Sequence, residues 1–193
     1  QGQAKVQGPL EALDARIKLA SSRSAQASVD ARVQLTPFAA WPLGAMDLKL
    51  SELNLTSLDA KLPQTQLSGQ ANINTSARDA PIQARIALSN AKPGRWDAQA
   101  LPIERLSLQA EGLASDRSRL LLPQLEAVLH QNAGTVRGSG QWRGHEAELK
   151  LQLAGLRPAA LDARAAALTA GGSTTLTIAG LPSPEGKLPA GQK

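Results

Sequence analysis

The chain has 193 residues, of which 21 are Lys or Arg and 16 are Asp or Glu, so its formal charge is +5. It contains no cysteine, which excludes disulfides and thiolate metal sites. Aromatic residues make up only 2%, so Leu and Ala supply most of the apolar surface, which favours a slim or open structure over a thick globule. The basic residues are scattered singly without interleaved aromatics, and nucleic acid is therefore not an expected partner.

The first predicted elements form a hairpin. Residues 10–19 and 27–35 alternate apolar and polar side chains, which is typical of half-buried strands, and a turn is expected at 21–24. Two prolines then interrupt the pattern in residues 36–42. Phe38 and Trp41 lie in this interruption and are expected to plug the end of the aliphatic face.

Residues 45–75 form the next predicted unit. A strand begins near Met46, the pattern breaks at residues 53–55, and a short turn covers 57–60 before Pro63. A second strand then runs from Leu67 to Asn74. Two strands joined by a short folded crossing make a plausible building unit.

The second half of the chain continues the same pattern. Strands are predicted at 82–88, 102–112, 134–142, 147–153 and 173–179. Pro93-Gly94 predicts a type II turn within residues 90–97. Residues 120–130 form a denser apolar run that fits either a strand or a short helix. Residues 181–193 are rich in Pro and Gly and are interpreted as a tail or linker.

Internal similarity indicates a repeat. Residues 149–178 resemble residues 45–75. In this alignment the tetrapeptide Leu58-Asp59-Ala60-Lys61 corresponds to Leu161-Asp162-Ala163-Arg164. We therefore predict one elongated β segment over 1–180 with two imperfect repeats, about 8–88 and 101–180. The fold class is all-β, an elongated, curved, antiparallel or mixed sheet. The first residues read like the middle of a longer protein, and the chain is expected to be a fragment of one.

Recurring Leu-Asp-Ala triplets have a basic residue directly after the Ala, as in Asp14-Ala15-Arg16. This pattern predicts surface ion pairs or turn capping.

Few residues suggest catalysis. His130 and His145 are far apart and are interpreted as exposed loop histidines, so no metal site is expected. The carboxylates Glu104, Glu111, Glu126, Glu146 and Glu148 are assigned to outward strand positions or loops. Gly138-Ser139-Gly140 lies on an alternating strand, and its glycines are interpreted as allowing a bend or bulge. We expect no catalytic residue, no metal, no cofactor and no enzymatic activity.

The aliphatic face itself is the remaining candidate site. In a closed sandwich this face would be ordinary core, but small inward residues such as Gly69, Ala71, Gly138 and Gly140 favour an open concave side. Such a groove would bind an acyl chain at about 0.8 kcal/mol per methylene. The residues predicted to line it are Val29, Val33, Met46, Leu48, Leu50, Leu67, Ile73, Ile82, Ile86, Leu106, Leu108, Leu149, Leu151, Leu153, Leu176 and Ile178.

Three segments carry a resemblance to a known family: residues 58–69, residues 90–97 followed by Leu101-Pro102, and residues 155–172. They resemble the periplasmic body of the TamB family, the inner-membrane component of the translocation and assembly module, within the AsmA-like group of Gram-negative envelope proteins. The resemblance implies a β-taco, a long sheet folded into a U-shaped hydrophobic groove. It also implies a periplasmic location, an inner-membrane anchor, and the outer-membrane barrel TamA as a partner of other parts of the full-length protein.

Three functions remain open at this point. The first is a lipid-transport segment that shields phospholipid acyl chains between the inner and outer membranes. The second is a scaffold for outer-membrane β-barrel or autotransporter clients, acting by β-augmentation. The third is a structural β-solenoid or adhesin stalk with a packed interior.

Overall fold

The computed structural model describes residues 2–20, 27–38, 42–75, 80–113 and 115–180. These residues form one sheet of eleven strands in sequence order, in which each strand pairs antiparallel with the next. The sheet is not closed into a barrel. The strands are β1 (Gly2–Gln7), β2 (Leu13–Ala20), β3 (Ser28–Leu35), β4 (Leu43–Leu53), β5 (Leu67–Asn74), β6 (Pro81–Asn90), β7 (Ile103–Leu113), β8 (Asp116–Leu129), β9 (Thr135–Arg143), β10 (Glu146–Leu156) and β11 (Ala170–Ala179).

The prediction of an all-β fold is confirmed, and the pairing is antiparallel throughout the strands. Within the ranges that the structure describes, helical structure is limited to the four-residue α1 (Pro158–Leu161) and three single 3₁₀ turns at Leu55–Ser57, Trp96–Ala98 and His130–Asn132. No helix in the described part is long and apolar enough to cross a membrane. The ambiguous segment 120–130 lies almost wholly in β8, whereas β1 was not predicted.

The sheet has one layer with two unlike faces. In β6 the exposed fraction of the side chains alternates residue by residue. The strand has an alanine on each face, so the exposed fractions of the same residue type can be compared directly. Ala84 is half-buried on the apolar face, whereas Ala87 is exposed on the polar face. Because no second layer formed by the described residues covers either face, this difference is consistent with a sheet that curves toward its apolar side and forms a groove there.

A bulge at Pro123 explains the irregular pattern of β8. Leu122 and Pro123 lie opposite the single residue Ala110 of β7, and Pro123 and Gln124 lie opposite the single residue Ser139 of β9. One extra residue is thus inserted relative to both neighbours. Proline has no N–H to donate to the ladder, and a bulge is one of the few interior positions that tolerate it.

Several inward-facing positions admit no side chain. A Cβ added at Gly69 would lie 2.1 Å from the carbonyl oxygen of Ala87 in β6. One added at Gly140 would lie 2.6 Å from the oxygen of Glu148 in β10. Glycine is therefore needed here because a neighbouring strand approaches closely. Of the bend or bulge predicted at the 138–140 glycines, the bulge is wrong, since the register shift beside them belongs to β8, and the bend stays a prediction.

The three longest described connections of the meander lie at one edge of the sheet, together with the short connection 130–134. We call the described connecting segments 54–66, 91–102, 130–134 and 157–169 the ledge. Hydrogen bonds join them to one another: Gln64 N–H donates to Gln99 O at 2.7 Å, and Arg157 N–H donates to Ala133 O at 2.8 Å. The ledge therefore forms a connected border along the sheet.

Most of the buried side chains among the described residues lie at the ledge edge of the sheet. Ala133 is 0% exposed and Leu129 is 7% exposed. Buried Thr65 accepts from the Leu55 N–H at 2.9 Å, and the side-chain oxygen of buried Asn90 accepts from the Gln66 N–H at 2.9 Å. These polar groups are stably buried because they satisfy backbone groups of the connections.

Two expectations about the connections are wrong. Phe38 is 75% exposed and does not plug the end of the aliphatic face, while Trp41 lies outside the described residues. The turn predicted at Pro93-Gly94 is not type II, because Gly94 lacks the positive φ that this turn requires. A Cβ at Gly94 would lie 2.7 Å from the Cβ of Ala100, so the glycine allows a close approach within the ledge.

The two repeats stay a prediction, because the sheet runs through both without interruption. One shared feature lies where the corresponding strands β4 and β10 approach the ledge. Both have a register shift there, and each shift contains a residue of positive φ, Glu52 at 47° and Gly155 at 61°. The predicted turn at 21–24 and tail at 181–193 lie outside the described residues.

Candidate functional site

The apolar face is organised in rows that run across the strands. The central row has one residue from each of the eleven strands, and no member carries a charge. At about 4.8 Å between strands, ten intervals give a length of about 48 Å. The central row is Ala4, Ile17, Ala31, Leu48, Ala71, Ile86, Leu108, Leu125, Gly138, Leu151 and Thr174.

Two flanking rows widen this surface. The row nearer the ledge is Leu19, Val29, Leu50, Gly69, Leu88, Leu106, Ala127, Val136, Leu153 and Gly172. The row farther from the ledge is Val6, Ala15, Val33, Met46, Ile73, Ala84, Ala110, Leu122, Gly140, Leu149 and Leu176. In the row farther from the ledge, the Pro123 bulge lies where Ala110 of β7 meets Leu122 of β8. The three rows form one continuous aliphatic surface.

All sixteen predicted lining residues lie on this face by register. Fourteen of them are half-buried, and the exceptions are Leu176 and Ile178, which are 45% and 49% exposed. Both exceptions belong to β11, which has a neighbouring strand on one side only. Their exposure follows from that position.

The prediction missed several residues of the same face. Ile17, Leu19 and Leu88 continue the alternation of strands that were predicted, so the same signal would have found them. Leu122 and Leu125 were harder to find because the bulge between them separates them by three positions. Leu121, by contrast, pairs with Glu111 and Gln141 on the polar face and is 48% exposed.

The polar face carries charges of alternating sign. Lys18, Asp30 and Lys49 follow one another across β2, β3 and β4, and Lys18 Nζ lies 3.3 Å from Asp30 Oδ2. Farther along, Arg137 donates to Glu126 at 3.1 Å. Each of these exposed pairs contributes little stability, and together they keep the polar face of the sheet hydrated.

The Leu-Asp-Ala triplets form the ion pairs and caps that the sequence predicts. Asp14 accepts from the Arg32 guanidinium, and this hydrogen bond is the main cause that lowers the pKa of Asp14. Asp59 accepts from the Lys61 N–H at 2.9 Å, which is a turn cap. Asp162 binds both the side chain and the N–H of Arg164, and these bonds lower its pKa to about 2.

The histidines differ from the expectation of exposed loop residues, because both are half-buried. His130 lies in the ledge, where its Nδ1 is 3.5 Å from a carboxylate oxygen of Glu104. Glu104 also accepts from the Gln131 N–H at 3.0 Å, so it holds a turn of positive φ. Among the described residues no group of three potential ligands is placed to bind a metal ion.

Hollows adjoin the sheet in the described part of the chain. A small one of about 60 Å³ lies where the ledge meets the apolar face, and Leu67, Leu88 and Leu101 contribute to its lining. A larger one of about 340 Å³ lies beside the Pro123 bulge and is lined by outward side chains such as Leu121, Glu148 and Lys150. Neither encloses a set of groups arranged for acid–base or nucleophilic chemistry.

No family of known proteins, no curated protein and no solved structure matches this chain in sequence or fold comparison. Function is therefore inferred from the geometry of the apolar face.

Proposed function

We propose that this chain is a non-enzymatic, groove-forming segment that shields acyl chains while phospholipid moves between the inner and outer membranes. The observation that carries the proposal is the uncharged central row, which crosses all eleven strands and is not covered by any other layer of the described residues. The proposal includes a periplasmic location. It also includes that the chain is one segment of an envelope-spanning protein like those of the TamB family, whose periplasmic body the sequence resembles.

The energetics of the face suit an aliphatic ligand. Burial of about fifteen methylenes against aliphatic side chains contributes about 12 kcal/mol before the entropy of association is subtracted. Charged headgroups gain nothing from this surface and stay in water at its border. Because the aliphatic rows continue from strand to strand without a polar barrier, a chain can move along them with small changes in free energy.

A charge placed in the central row tests the proposal. Leu108 lies between Ile86 and Leu125, and Leu108→Asp would put a carboxylate where methylenes are expected to lie. Ser107→Asp is the matched control, since it adds the same charge to the same strand on the polar face. We expect Leu108→Asp to lower bound phospholipid about tenfold or more, and Ser107→Asp to leave it unchanged.

Native mass spectrometry of the purified chain measures the bound phospholipid, and photo-crosslinking from position 108 locates it. Circular dichroism verifies that both variants keep their strands. Absence of lipid from the wild-type chain, together with absence of crosslinks to lipid from position 108, would contradict the proposal.

The open edge of β11 favours a second candidate, a scaffold that binds client strands by β-augmentation. Among the described strands β11 pairs only with β10, and its sequence Ala170–Ala179 contains no Lys or Pro to discourage further pairing. Crosslinks from β11 to outer-membrane protein clients, with none from position 108 to lipid, would favour the scaffold. The packed interior expected of a stalk is absent from the described residues, since no large side chain there is fully buried.

A further inference from the structure

The ledge exposes large apolar side chains. Leu58 is 68% exposed, Leu62 39%, Trp96 55% and Leu168 50%. They come from three different connections, which follow β4, β6 and β10 along the same edge of the sheet. At about 4.8 Å per strand these connections span about 30 Å. Exposed apolar side chains that share one border of a protein mark a candidate surface for contact with a protein or a membrane.

These side chains are held by an ordered framework. The first two connections are joined through Gln64 and Gln99, and the carboxylate of Asp97 accepts from the Ala163 N–H at 3.3 Å. The second bond joins connections that are 66 residues apart in sequence. The exposed apolar groups therefore project from a connected support and keep their spacing.

The charges of the ledge favour an anionic partner. Its acids are engaged within the ledge itself: Asp59 caps a turn, Asp97 pairs with Arg95, and Asp162 pairs with Arg164. In the described part of the chain Lys61 and Lys92 have no ion pair, and both are exposed. Positive charge thus remains available beside the apolar side chains.

We propose that the ledge docks on a lipid surface that contains anionic headgroups. Trp and Leu favour the interface between headgroups and acyl chains, and lysines nearby favour the phosphates. A bilayer offers one continuous surface that contacts side chains spread over about 30 Å at once. An acidic protein would match the lysines but has no evident need for the extended apolar line.

This inference goes beyond the acyl-chain groove and does not depend on it, because the ledge residues are not in the aliphatic rows. Docking along the ledge would place the border of the apolar face against the lipid. Acyl chains would then reach the rows from the side.

Vesicle flotation tests the inference with the chain as described. Phosphatidylcholine vesicles with and without phosphatidylglycerol are mixed with wild-type protein, and the fraction that floats is measured. We expect binding only with phosphatidylglycerol, and about a fivefold loss of affinity for each of Lys61→Gln and Lys92→Gln. Lys49→Gln, which removes an exposed cation from the polar face of β4, is the matched control and should bind like wild type.

The contribution of the apolar side chains is tested by comparing the vesicle binding of the double variant Leu58→Ser, Trp96→Ala with that of Phe38→Ala. Phe38 is an exposed aromatic residue at the opposite edge of the sheet, so its loss should leave binding unchanged. The tryptophan emission of the wild-type chain should shift to shorter wavelength on anionic vesicles, and Trp96→Phe should abolish that shift.

Any of three results would overturn the inference: no flotation of the wild-type chain, equal losses in ledge and control variants, or binding to an acidic protein in place of vesicles. Native mass spectrometry on the same variants keeps the two proposals apart. Ledge variants that lose vesicle binding but retain phospholipid would support the ledge inference without contradicting the groove proposal. A wild-type chain that floats with anionic vesicles but carries no phospholipid would count against the groove alone.

Discussion

At the scale of single residues, small side chains determine how closely the strands approach. Gly69 sits between Leu50 and Leu88 on the apolar face, and the neighbouring backbone leaves no room for a methyl group. Gly112 lies on the same face but has ordinary spacing, since an added Cβ would lie 3.4 Å from its nearest neighbour. The two glycines form a natural comparison.

Gly69→Ala should destabilise the chain by about 1–3 kcal/mol, because the added Cβ forces β5 and β6 apart. Gly112→Ala should be neutral or slightly stabilising, since it restricts the unfolded chain without a clash. Urea denaturation measures both. Equal effects of the two substitutions would show that the close approach at Gly69 has no energetic consequence.

Residue types predicted much of the fold and mispredicted some of its details. Alternation identified nine of the strands at least in part, whereas the apolar run in β8 fits either a strand or a helix. Alternation also placed the sixteen lining residues on one face, because side chains in a strand have a period of two. It failed for Phe38, since an aromatic residue at a break in a pattern does not reveal where its ring points. It failed for Gly94, since a glycine permits either positive φ or close approach and sequence does not distinguish the two.

At the scale of elements, β8 shows that a single inserted residue can obscure the alternation by which a strand is recognised in the sequence. The run Leu120-Leu121-Leu122-Pro123 breaks the alternation because Leu121 faces outward and Pro123 is extra. Only the registers with β7 and β9 reveal the bulge. The ledge was equally hidden, since the bond between Asp97 and Ala163 depends on how distant connections line up along the edge.

Deletion of Pro123 should be tolerated. Without it, Leu122, Gln124 and Leu125 would alternate inward, outward and inward, which matches the pairing on both sides. Deletion of Ser139 in β9, which has no bulge to absorb the change, should reverse the faces of Gly140, Gln141 and Trp142 and unfold part of the sheet.

Far-UV circular dichroism and thermal unfolding compare the two deletions. If the chain without Pro123 melts as early as the chain without Ser139, the bulge is required for folding and is not a tolerated insertion.

At the scale of the whole molecule, each strand contacts mainly its sequence neighbours. The stability of such an array is approximately a sum of local terms, as in repeat proteins. The outer strands are the weakest members: every residue of β1 is exposed, and so is every residue of β11 except Ala170. Central strands such as β7 are half-buried along most of their length.

Hydrogen exchange should therefore be graded along the sheet. We expect the slowest amide exchange in β6, β7 and β8, and the fastest among the strands in β1 and β11. Exchange measured by mass spectrometry on peptides of the native chain tests this. Uniform protection across all eleven strands would mean that the sheet opens as one cooperative unit.

All the ledge segments lie at one edge of the sheet, so only some changes in the number of strands would keep the ledge continuous. Consecutive strands run in opposite directions, so loss or gain of one strand would move every later connection to the opposite edge. The ledge would be divided between two borders and its internal hydrogen bonds lost. Changes in length that preserve a continuous ledge must therefore come in units of two strands, so the parity of the strand count is itself under constraint.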